Sequence, residues 1–211
     1  MRASFLRFLA LGGDEHAPLH EKGLSLHGAG IEGKLDIEGA ILPHSLELSN
    51  CHLSSIAILR HSNIHGFLRF RGCCFESLDG DHMVCSGSVF LTGGFTSTGT
   101  VRLVNAQIGG DLLCGKGKFD GKDGEALTCD GAVIKGDVYL NDGFTVMGSV
   151  SLLGARIDGY LVCNEGKFDG KDHDALICLG AVIKGSVLLS DGFTAAGTVN
   201  LADAQIGEPF T

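Results

Sequence analysis

Three stretches decide the fold: VRLVNAQIG at 101–109, VSLLGARID at 150–158 and VNLADAQIG at 199–207. Each has apolar residues at its first and third positions, Ala at the sixth and Ile at the eighth, and successive copies lie 49 residues apart. The same interval relates Cys114, Phe119, Cys129 and Phe144 to Cys163, Phe168, Cys178 and Phe193. A fixed period of this length marks a repeat architecture, in which each unit buries its apolar side only by stacking on its neighbours.

The pattern also recurs at shorter range, as Leu24, Leu26, Ala29, Ile31, as Leu46, Leu48, Cys51, Leu53, and as Leu161, Cys163, Gly166, Phe168. Starts fall near 24, 35, 46, 56, 68, 78, 89, 101, 112, 127, 138, 150, 161, 176, 187 and 199, sixteen units in all. Residues two apart face the same side of an extended chain, and the apolar pair returns five residues on, so each unit is two five-residue steps. Composition agrees: 33 Gly against 3 Pro and no Trp implies many tight turns between short segments. No stretch approaches the roughly 18 apolar residues of a membrane span.

Ala29-Gly30-Ile31, Ala106-Gln107-Ile108 and Ala155-Arg156-Ile157 resemble the small-x-Leu steps of the pentapeptide-repeat family, over roughly residues 23–207. The chain differs from that pattern by an extra residue, often Gly, about every second step, as at Gly33, Gly110 and Gly159. DGFTVMGSVSLLGARIDGYLVC (142–163) and DGFTAAGTVNLADAQIG (191–207) also resemble bacterial repeat proteins that automated naming calls membrane-associated oxidoreductases. The resemblance implies an all-β fold, a right-handed, four-sided parallel β-helix in which four steps close one coil. Sixteen units then make eight coils in a domain spanning 23–207, a rod on the order of 40 Å long. Residues 1–22 form an N-terminal cap, with Phe5 to Leu11 as a helix stopped by Gly12-Gly13. A left-handed β-helix of six-residue steps disagrees with the five-plus-six spacing; a larger three-sheet β-helix is the closer rival. Beyond Ile206 only Glu208, Pro209 and Phe210 blunt the other end, so that end docks on a second copy, giving a homodimer, or the chain is cut from a longer array.

The chain carries 16 bases and 25 acids, and the imbalance is uneven: 10 acids against 8 bases in residues 1–110, 15 against 8 in 111–211. Such a surface repels nucleic-acid phosphates, which argues against direct DNA or RNA binding. Arg7 interrupts the apolar run at the N-terminus and no small-residue cleavage site follows it, unlike a secretory signal. The eight Cys lack pairing spacings, which favours a reducing cytoplasm. Cys114, Cys129, Cys163 and Cys178 take inward positions as small core hydrophobes, and of the adjacent Cys73 and Cys74 only one can face inward. Gly28-Ala29-Gly30-Ile31-Glu32-Gly33 matches a dinucleotide fingerprint in letters but lacks its following helix. His16 and His20 lack the acidic partner of a metalloprotease motif, and no catalytic triad or carboxylate pair is placed by spacing. With 2 Tyr and no Trp, the aromatic platforms of sugar-binding enzymes are scarce.

One corner of the helix is expected to be plain, with Lys135, Asp158 and Lys184 stacking as a charge ladder. The opposite corner expands twice, into FDGKDGEAL (119–127) and FDGKDHDAL (168–176). The candidate binding residues are Asp120, Lys122, Asp123 and Glu125 on the first, with Asp169, Lys171, Asp172 and Asp174 on the second. Loops on a rigid scaffold are where binding residues concentrate. Three functions follow, in order: a non-enzymatic scaffold presenting this edge to a protein partner; a mimic of duplex DNA that binds a type II topoisomerase, as some members of the resembled family do; and a cation or ligand module using the acidic loops. No cofactor, metal or catalytic residue is assigned.

Overall fold

The computed structural model describes residues 1–207, apart from the side chains of Asp123 and Asp172. The chain winds into a right-handed β-solenoid of eight coils whose strands stack in parallel on four faces. Face A runs from Leu24–His27 through Leu46–Ser49, Leu68–Arg71 and Leu112–Leu113 to Val187–Leu188; face D runs from Ile41–Leu42 to Gln205–Ile206. Faces B and C begin at Gly30–Ile31 and Leu35–Asp36 as separate files. They fuse from the fifth coil onward, where the long strands Lys118–Thr128, Thr145–Ser151, Lys167–Ile177 and Thr194–Asn200 run through the corner between them.

The five-plus-six spacing has a backbone cause. The fifth residue of every unit has φ between 51° and 67°, as at Asn50, His61, Gly72, Asn105, Gly131 and Asp142, so the chain turns there through a left-handed residue. Gly, Asn, Asp and His enter that region most readily, and they fill fourteen of the sixteen places; Lys116 and Glu165 fill the others. This column corrects one boundary: the fourth unit starts at Ala57, which pairs with Leu35 and Leu78, and not at 56. Ile56, Ala57, Ile58 and Leu59 alternate equally well in either frame, and His61 in the fifth place selects the one that turns Ala57 and Leu59 inward.

The extra glycines at Gly110 and Gly159 serve a different purpose from the left-handed ones. A Cβ on Gly110 would sit 2.3 Å from Ser88 Oγ, and one on Gly136 or Gly159 would sit 2.0 Å from Asp111 or Asp137 Oδ1. Those oxygens accept the amides of the next coil: Ser88 from Asp111 at 3.0 Å, Asp111 from Asp137 at 2.9 Å, and Asp137 from Tyr160 at 2.8 Å. The glycines leave room for a side-chain ladder that satisfies corner amides which no strand pairs.

Inside, the rings of Phe70, Phe75, Phe95, Phe119, Phe144, Phe168 and Phe193 stack in one file, with centroids 4.8–5.4 Å apart. From Phe95 on, the ring comes by turns from just before a face B strand and from within one, which makes alternate coils unlike. The file therefore repeats every two coils, in step with the 49-residue period. Cys51, Cys73, Cys85, Cys114, Cys129, Cys163 and Cys178 are buried, and Cys74 is the exposed one of its pair. Burial raises the Cys73 thiol to about 12 and the Cys85 thiol to about 11.

The helix Ala3–Ala10 covers the first coil with Ala3, Leu6 and Ala10. Its entry is tied down by Ala3 N–H donating to Glu32 O at 2.9 Å and Glu32 N–H to Met1 O at 2.8 Å. At the eighth coil Leu188, Leu189 and Ile206 are exposed. Among the described residues its strands pair only inward, toward the seventh coil. No helix is long and apolar enough to cross a membrane among the described residues.

Candidate functional site

The two expanded corners fall where the sequence places them, on the fifth and seventh coils of the fused B–C edge. Asp120 pairs with Met147, and Met147 with Asp169, so one strand separates the two loops. At ~4.8 Å per strand the equivalent carboxylates lie roughly 10 Å apart. A Ca²⁺ ion holds its oxygens at about 2.3–2.6 Å, so one ion does not bridge carboxylates at that separation. No group of three metal-capable side chains forms among the described residues.

Each loop is built from within. Asp120 Oδ1 accepts the Lys122 amide at 2.9 Å, and Asp169 Oδ1 accepts the Lys171 amide at 3.1 Å, so each Asp closes a turn in which the Lys is left-handed at φ 53°. Glu125 Oε2 accepts the Thr128 hydroxyl at 2.8 Å, its carbonyl accepts the Thr100 hydroxyl at 2.8 Å, and Asp174 O accepts Ser149 Oγ at 2.6 Å. Asp120, Glu125, Asp169 and Asp174 are thus placed by the fold, Lys122 and Lys171 are exposed, and the side chains of Asp123 and Asp172 lie outside the described residues. A strand that bears a loop is followed by one that accommodates it: Gly148, at φ 109°, sits where a Cβ would be 2.2 Å from Gly124 O, and Gly197, at φ 117°, does the same beneath His173 O.

A shallow trough of about 270 Å³ runs along face B across the fourth to sixth coils, lined by Thr96, Lys118, Phe119, Asp120, Thr145 and Met147. Met147 is 48% exposed, a large apolar side chain standing between two acidic loops. Sequence spacing identified the loops and missed Met147, because only strand pairing sets it between Asp120 and Asp169.

The opposite, plain corner holds the expected ladder. Lys135 Nζ and Lys184 Nζ each lie 3.2 Å from Asp158, and Arg156 Nε joins them at 3.2 Å. Burial raises the Asp158 carboxyl, but hydrogen bonds from Lys135 and Lys184 outweigh it and hold the group below its ordinary value. His61 and His82 stack across adjacent coils, centroids 5.0 Å apart, in the left-handed column. No protein-family model, curated protein or solved structure matches this chain.

Proposed function

We propose that the protein is a non-enzymatic interaction scaffold that presents the B–C edge to a protein partner. The observation that carries this reading is the pair of self-supported loops, identical in their turns and spaced two coils apart, flanking the exposed Met147. Loops braced by their own carboxylates are preorganised for docking, and an apolar side chain between charged crests fits the apolar-centre, polar-rim layout of protein interfaces. The acidic groups of the C-terminal half favour this over a duplex mimic. Asp111, Asp137 and Asp158 are engaged by neighbouring coils and do not form a free phosphate-like row. Affinity capture from the native cell, comparing the wild-type chain with the double variant Lys122→Glu, Lys171→Glu, tests the proposal. One partner lost in the variant at unchanged melting temperature supports it; equal capture by both chains, or saturable turnover abolished by a single loop substitution, overturns it. Among the described residues the strands of the eighth coil pair only toward the seventh, and these strands with Ile206 are the surface proposed for a second copy; sedimentation that stays monomeric at high concentration would exclude the homodimer.

A further inference from the structure

A depression of about 430 Å³ lies away from the loop edge, where face A turns toward face B in the third to sixth coils. It falls within the ~300–1,000 Å³ range of small-molecule sites. Gly115 creates it. Arg71, Thr92, Gly115, Asn141 and Ser190 stack as one column, each carbonyl accepting an amide of the coil before, and only Gly115 lacks a side chain there.

The walls combine four kinds of chemistry. Leu113 and Tyr139, paired across neighbouring strands, form an apolar floor. The Tyr139 ring is fixed in place, because its hydroxyl donates to Asp137 Oδ2 at 2.7 Å and Asp137 is itself held by the Tyr160 amide. Arg71 and Lys116 bring two cations to the rim, and Asn141 and Asp142 bring an amide and a carboxylate. Arg60, Arg69, Arg102 and Arg156 each pair with a carboxylate, whereas neither Arg71 nor Lys116 has a side-chain partner among the described residues. Lys116 also holds a left-handed backbone, φ 61°, in a column otherwise given over mainly to Gly, Asn, Asp and His.

The repeat supplies an internal control. Moving 49 residues along places Asn164 for Gly115, Glu165 for Lys116 and Leu188 for Tyr139. The notch is filled, the cation reversed and the ring lost. The depression is therefore a departure from the repeat and not a by-product of it.

We propose that this depression binds a six-membered sugar ring carrying a carboxylate, a uronic acid unit. The ring lies on Tyr139 and Leu113, its carboxylate meets Arg71 and Lys116, and its hydroxyls reach Asn141 and Asp142. Aromatic and aliphatic floor matches the apolar face of a pyranose, and charge-assisted bonds from Arg and Lys match a carboxylate. Asp142 accepts the ring hydroxyls that a bare phosphate lacks, and the two cations bond a carboxylate more strongly than they bond the hydroxyls of a neutral sugar. The site is separate from the loop edge and stands whether or not that edge binds a protein.

Amide chemical shifts of the ¹⁵N-labelled chain titrated with digalacturonate, with maltose and inorganic phosphate as comparators, provide the test. Saturable shifts centred on Gly115, Lys116 and Asn141 are expected with digalacturonate alone. Arg71→Gln with Lys116→Asn should weaken binding about tenfold or more. Gly115→Asn should abolish it; the fold accepts Asn at the same place in the next coil, and the new Cβ would lie 3.2 Å from Asn141 Oδ1, so that amide gives slightly. No saturation, equal binding of maltose or phosphate, or undiminished binding by a folded Gly115→Asn chain overturns the proposal.

Discussion

Ser97 occupies an inward strand position paired with Phe75 on one side and Phe119 on the other, 2% exposed, and its hydroxyl has no hydrogen-bond partner among the described residues. A buried hydroxyl without a partner is destabilising, so Ser97→Ala should raise stability by about 1 kcal/mol, read as a higher denaturation midpoint at unchanged slope. Asp158 represents the opposite case, a carboxylate held by three cations. Its folded-state carboxyl lies below the ordinary 3.8, so the stabilisation is complete above the unfolded value and disappears as pH falls through the lower folded one. Asp158→Asn should cost roughly 1 kcal/mol at neutral pH, given the exposure of the three partners, and that difference should close below pH ~3.8. Urea midpoints of both chains from pH 7 to pH 2 would show whether the gap closes on that side. The ladder was legible from spacing alone for Lys135, Asp158 and Lys184, because the 49-residue step and the alternation of faces stack them. Arg156 joins through its own strand's outward alternation and was missed.

At the scale of one coil, most unit boundaries were legible because an apolar-x-apolar pair can face the core in only one frame. Residues 56–59 were not, since all four are apolar and the left-handed place at His61 decides the frame. Gly110 and Gly159 looked like spacers; only the structure shows them as clearance for Ser88 and Asp137. The candidate loops were legible as insertions, yet how a neighbouring strand tolerates an insertion was not. Gly148 carries that tolerance for the first loop. Gly148→Ala combines a strained φ of 109° with a backbone oxygen 2.2 Å from the new Cβ, so it should cost about 1–3 kcal/mol and raise hydrogen exchange across Lys118–Thr128 and Thr145–Ser151. Exchange unchanged across those two strands would show that the corner does not depend on that glycine.

From the fifth coil to the eighth the coils are of two kinds, one bearing a loop and the other a glycine to receive it. Removing residues 112–160 takes out one of each. Leu161 then follows Asp111 as Leu112 does now, and Phe168 stacks on Phe95 as Phe119 does. That shortened chain should fold and unfold cooperatively with a proportionally smaller transition, as nearest-neighbour coupling predicts. Removing only 138–160 sets the 168–176 loop directly over the 119–127 loop with no Gly148 between them, and places Phe168 over Phe119 in the same orientation. It should be insoluble or lose several kcal/mol, and circular dichroism melts of the two deletions separate the outcomes.

The loops, the glycines that receive them and the ring file thus give the later coils of the rod a parity. From the fifth coil on, a chain of this design lengthens or shortens by recombination only in double coils, so viable length variants in that half should differ by multiples of 49 residues. A site that needs a departure from the repeat, such as the notch at Gly115, can arise in one double coil while its duplicate keeps the unmodified wall.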